Sequence, residues 1–174
     1  MTNKLLSTDY TIAWISALPL EMAAAKALLD ETHEPLPQPR TDQNSYTLGK
    51  ISGHNIILVC LPSGTYGTVS AATVLAQLLS TFSEIQFGLM VGVGGGVPAD
   101  GNGSTRGPDI RLMDVVVGMP TGSSGGVIQY DHGKVVRGDY GGVGDGFENT
   151  GAFNRPLQAL LSAVSQVRSD WDAA

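Results

Sequence analysis

Cysteine is almost missing from this sequence. Of 174 residues one, Cys60, is a cysteine, so no internal disulfide can form. A reducing compartment suits such a chain, and a cytoplasmic location is the expectation. No apolar run approaches the roughly 18 residues that a membrane helix needs, and the opening MTNKLLSTDY lacks a signal-peptide core. Charged residues are sparse at 15% and lean acidic, with a net charge of −6. That balance argues against nucleic acid or an anionic membrane as the main partner. The three histidines, His33, His54 and His132, fall far apart in expected turns and offer no metal spacing. No G-x-x-x-x-G-K-[ST] and no G-x-S-x-G occurs, and Cys60 has no neighbouring histidine to make it a nucleophile.

What is present is a globular composition, 42% hydrophobic, with 23 glycines placed between apolar runs. The chain is organised around Gln86 to Pro120. Phe87 to Val93 reads as a strand buried on both faces, and Gly94, Gly95 and Gly96 follow where side chains would block close approach of the backbone. DIRLMDVVVG, from Asp109, reads as a second apolar strand rich in valine. A buried strand ending in bare backbone is how an α/β protein builds a small-molecule pocket at its carboxyl edge. A dinucleotide fingerprint does not fit GVGGGV: from Gly92 the pattern fails at Val97, and from Gly94 it meets Pro98 and no helix.

Taken in order, Tyr10 to Leu18 predicts a strand, and Pro19 to about Glu31 a helix with Pro at its first position. Glu21 stands in the first turn, where an acid either complements the helix dipole or serves a site. Tyr46 to Ile51 and Asn55 to Leu61 predict a hairpin across SGHN, with His54 in the turn. The loop Pro62 to Gly67 feeds a helix whose spacing sets Val69, Ala72, Ala76, Leu79 and Phe82 on one face. Such a loop either binds an anion through free N–H groups or is an ordinary βα turn. GGVIQYDHGKVVRGD predicts a hairpin turning at Asp131-His132-Gly133. A last helix from near Pro156 carries a stripe of Leu157, Leu160, Leu161, Val164, Val167 and Trp171. With no repeat and no linker, residues 1–174 read as a single mixed α/β domain.

Five segments together carry a resemblance: IAWISALPLEM (12–22), LPSGTYGTVSAATVLAQLL (61–79), GLMVGVGGGVP (88–98), DIRLMDVVVGMP (109–120) and VIQYDHGKVV (127–136). In this order they resemble the nucleoside phosphorylase superfamily, of the purine/uridine phosphorylase and methylthioadenosine/adenosylhomocysteine nucleosidase type. More narrowly, they resemble the phosphorylase-like domains of fungal multidomain proteins that carry NACHT, ankyrin or TPR regions. The resemblance implies a three-layer α/β fold with a mixed central sheet and a pocket at one strand edge. It also implies action on the N-glycosidic bond of a purine nucleoside or nucleotide, and self-association into homo-oligomers. No cofactor or metal is implied, and phosphate is the one co-substrate the family admits.

Carried over by position, Glu21 matches the N-terminal catalytic glutamate of the nucleosidases. Ser63 and Gly64 match the SG beside ribose or phosphate, and Gly92, Gly94, Gly95 and Gly96 match the strand end beneath ribose and base. Val93 stands where many members have a serine or threonine that contacts phosphate or water. No arginine stands near the Ser63–Gly67 loop or the first strand. Both departures favour hydrolysis over phosphorolysis, or binding without turnover. Met113 replaces the glycine usual in an RLGD turn. Nothing from Asp139 onward matches the family's later segments, with their base contacts, Met-Glu pair and acidic proton donor. The expectation is therefore the C-terminally truncated, N-terminal two thirds of the family domain. A catalytically weak or inactive nucleoside-sensing module of a fungal immune-type receptor is the alternative reading.

Overall fold

A computed structural model describes residues 5–96, 110–122, 124–136 and 146–172. The chain forms two compact units, Met1–Val97 and Pro98–Ala174.

In the first unit β1 (Ile12–Ser16) is the axis of a five-stranded mixed sheet of order β2-β3-β4-β1-β5. It pairs in parallel with β4 (His54–Cys60) on one side and β5 (Phe87–Met90) on the other. The short β2 (Glu31–Thr32) and β3 (Tyr46–Ile51) extend the sheet antiparallel beyond β4. Ser52 (φ 48°) and Gly53 (φ 87°) close the β3–β4 hairpin, the two left-handed residues that a tight turn of this hand requires. His54 is not in the turn as expected, because it pairs with Ile51 as the first rung of β4.

Strand alternation decides which helix covers which face. Ala13, Ile15, Ile57 and Val59 point to one side, where they pack with Val74, Leu78 and Phe82 of and beside α2 (Thr68–Thr81). Ile12, Trp14, Ile56 and Leu58 point to the other, against Met22 and Ala25 of α1 (Pro19–Ala27). Helix, sheet and helix make three layers in an α/β fold. The connection through α1 moves from β1 towards β4, and the one through α2 returns past β1 to β5. The carboxyl end of β1 is thus a switch point of the sheet, where such folds hold ligands.

Several elements differ from expectation. Helix α1 stops at Ala27, four residues early, because Asp30 turns to the sheet: its N–H donates to Lys50 O, and its Oδ2 accepts from Ser52 N. Glu31 and Thr32 then pair with β3. Helix α2 buries Ser70, Val74 and Leu78 in place of the expected Val69 (80% exposed) and Leu79 (46% exposed), while Phe82, the last residue of the expected stripe, is buried. β5 ends at Met90, and its residues alternate between partly buried and exposed, so it is not buried on both faces.

In the second unit the valine-rich segment is no strand among the described residues. Arg111 to Asp114 form a turn instead, with Asp114 N–H donating to Arg111 O and Arg111 N–H donating to Asp114 Oδ2. Met113 takes φ 78°, the left-handed conformation that glycine adopts freely. The expected hairpin at Asp131 is replaced by β6 (Gly133–Val136) pairing antiparallel with β7 (Gly146–Asn149). Helix α3 (Gln158–Asp172) starts two residues after Pro156. Leu160, Leu161 and Val164 of its stripe are partly buried, and Leu157, Val167 and Trp171 are exposed.

Candidate functional site

Three strand exits converge at the carboxyl edge: Ala17–Leu18 after β1, residues 61–67 after β4, and residues 91–96 after β5. Pro19 opens α1 immediately behind the first exit, which sets Glu21 at the third helical position. From there the Glu21 carboxylate folds back over the helix start. Its Oε2 accepts the N–H groups of Ala17 (2.8 Å) and Leu18 (2.9 Å). This is the backward half of a capping box, and it sets the charge in the first turn, where it also complements the helix dipole.

A cap does not explain the third bond. Oε1 accepts the N–H of Val93 at 2.9 Å, from the exit of β5, 72 residues away in sequence. Beneath that bond lies Gly92, whose missing side chain makes room for the carboxylate. A Cβ there would stand 2.5 Å from Oε1 and 2.8 Å from Cδ of Glu21. Three backbone donors hold the carboxyl below its usual range: Val93 first, then Leu18, with burial opposing and Ala17 adding. Glu21 is therefore an ionised acceptor at neutral pH. Among the described residues Oε2 takes two donors and Oε1 one, which leaves Oε1 a lone pair for a further hydroxyl or water.

The other expected site residues share the edge without touching this carboxylate. Ser63 and Gly64 lie in an exposed turn after β4, closed by Thr65 N–H on Pro62 O (3.0 Å), with Gly64 at φ 80°. Gly94, Gly95 and Gly96 are exposed, and a Cβ on Gly94 or Gly95 would meet nothing within 4 Å. The position where close approach demands glycine is thus Gly92, not the triplet. Val93, suspect for its lack of a side-chain donor, supplies its main-chain N–H instead.

Two features at this edge escaped the sequence reading. Ser16, the last residue of β1, is fully buried, and its hydroxyl finds no hydrogen-bond partner among the described residues; nor does the buried indole N–H of Trp14, two residues earlier. Cys60, level with Ser16 on β4, is partly buried. Its thiol is pushed up by burial and by the Glu21 charge, with the Leu61 N–H and Lys26 opposing. A raised thiol is a poor nucleophile. A polar residue interrupting an apolar strand, as in IAWIS, was the signal for Ser16. Among the described residues no cluster of His, Cys, Asp and Glu could hold a metal ion, and no helix is long and apolar enough to cross a membrane.

No family model matches the chain. Over 162 residues, 92% of its length, the chain is 46% identical to a nucleotide-binding leucine-rich repeat (NLR)-like protein of Hyaloscypha variabilis (strain UAMH 11265 / GT02V1 / F). It spans 15% of that relative's length. Among solved structures, the Streptococcus pneumoniae MTA/SAH nucleosidase in complex with 8-aminoadenine is 26% identical, with a TM-score of 0.36. The match covers 46% of this chain and 32% of the nucleosidase.

Proposed function

We propose that this chain is a nucleoside-recognising domain that acts on the N-glycosidic bond of purine nucleosides, by hydrolysis rather than phosphorolysis. The observation that carries the reading is the bond from Val93 N–H to Glu21 Oε1, which joins two motifs far apart in sequence at one strand edge. The Glu21 carboxylate accepts a ribose hydroxyl or the attacking water through the open lone pair of Oε1. Its negative charge also favours an oxocarbenium-like sugar as the bond to the base breaks. The exits at 61–67 and 91–96 hold no lysine or arginine, which speaks for water over phosphate as the attacking group. Ser63, Gly64 and Gly94 to Gly96 shape the rim.

The test is release of free base from inosine, adenosine, methylthioadenosine and ATP, with and without phosphate, followed by chromatography. Release at the same rate without phosphate is expected. Release only with phosphate would replace hydrolysis by phosphorolysis.

A second reading is a module that binds a nucleoside without turnover and signals through a larger receptor. The similarity to an NLR-like protein, of which this chain spans a small part, favours it. So does a carboxylate held below its usual range, which makes Glu21 a weak proton acceptor. Saturable binding of inosine or adenosine with no base released is the outcome that selects this reading.

A further inference from the structure

The Glu21 carboxylate is placed to do more than meet a ligand. The exit of β5 is glycine-rich, Gly92-Val93-Gly94-Gly95-Gly96, and such backbone has many conformations to choose from. One main-chain donor in it, Val93 N–H, is fixed, and a side chain on another element fixes it. The same carboxylate is itself held on its far side by Ala17 and Leu18 N–H, so it is a stiff anchor and not a free side chain. Gly92 lies beneath the contact, and a Cβ there would collide with Oε1 and Cδ of the carboxyl group and crowd Oε2. Helix start, carboxylate and strand exit form one mechanical unit.

We propose that Glu21 is a positioning residue, which locks the Gly92–Val93 backbone and through it sets the shape of the glycine-rich rim that receives the nucleoside. This deepens the proposed function and rests on it only for the identity of the ligand. It assigns Gly92 a role as well: the glycine is there to admit the carboxylate. An aspartate at the third helical position still reaches back to the helix start, as Asp9 does in accepting Leu6 N–H (2.7 Å), and loses its reach to Val93. Glu21→Asp therefore separates charge from latch.

The experiment measures amide hydrogen exchange by NMR in the wild-type chain, Glu21→Ala and Glu21→Asp, with inosine affinity measured on the same samples. Ile57 and Val59 amides, deep in β4, report whether each variant is folded. In the wild type Val93 N–H is protected, and exchange is about tenfold or more faster in both variants while Ile57 and Val59 stay protected. Inosine affinity falls with the Val93 protection, in Glu21→Asp as in Glu21→Ala. The inference is overturned if wild-type Val93 exchanges as freely as Gly94 and Gly95, or if Glu21→Asp restores inosine affinity while leaving Val93 unprotected. The two proposals fail separately. A wild type that protects Val93 but neither binds nor cleaves any nucleoside keeps the latch and ends the functional reading, whereas an unprotected Val93 in an active protein does the reverse.

Discussion

At Gly92 one methyl group is enough to disturb the site. Gly92→Ala would put a Cβ 2.5 Å from Glu21 Oε1, so either the carboxylate or the β5 exit must shift. The cost is that of displacing the Val93 N–H bond, and a loss of about 0.5–1.5 kcal/mol is expected in urea unfolding. Gly94→Ala, with open space around the new atom, should stay within about 0.5 kcal/mol of the wild type. The carboxylate also ties stability to pH. Its pKa in the folded chain is lowered, so its contribution is fully present above the usual glutamate range and is lost as pH falls through the lowered value. Acid titration should show the wild type losing stability below about pH 4.3, the unfolded reference, with a shallower loss in Glu21→Gln. A slope that is identical in the two chains would remove Glu21 from the acid response. Met113 supplies the opposite case, a side chain where glycine fits better. It holds φ 78° and is 98% exposed, so Met113→Gly gives up little packing and relieves a left-handed backbone. A gain of about 1 kcal/mol is expected from thermal unfolding.

Among the elements, α2 shows why periodicity could point to the wrong face. TVSAATVLAQLLST is small or apolar almost all the way round, so stripes one position apart look equally good. The sheet decides between them: Val74 and Leu78 fill the space over Ala13, Ile15, Ile57 and Val59, and Ser70 comes inward with them. Leu78→Ala should cost about 2–5 kcal/mol, whereas Leu79→Ala, on the outer face, should cost well under about 1 kcal/mol. Chemical denaturation of the two variants side by side checks the assignment. Helix α1 illustrates a different limit. Its sequence favours helix through Asp30, but Asp30 finds better partners in Lys50 and Ser52, and a tertiary contact ends the helix early. The valine run after Asp114 has strand propensity yet no strand among the described residues, since propensity supplies no pairing partner. By contrast β1, the β3–β4 hairpin and the α2 start were legible, because alternation, the Ser-Gly turn and the preceding glycine are local signals.

For the molecule as a whole, the resemblance implied a three-layer fold, which the first unit has, and it singled out Glu21 and the glycine-rich exit. It did not lead to the bond between them, since a main-chain donor leaves no mark in a sequence. That bond has a consequence in time. Glu21 and Val93 lie 72 residues apart, and β5 can dock only after α2 has carried the chain back past β4 and β1. The β3–β4 hairpin closes over two residues, so its pairing costs far less loop entropy than docking of β5. In refolding from urea, protection at Ile57 and Val59 should therefore arise first and protection at Val93 last, as pulsed hydrogen exchange would record. Simultaneous protection would mean that the strand exit is built in the same step as the core. In the expected order, every newly made copy of this chain passes through a stage in which its core is complete and its glycine-rich strand exit is still unformed.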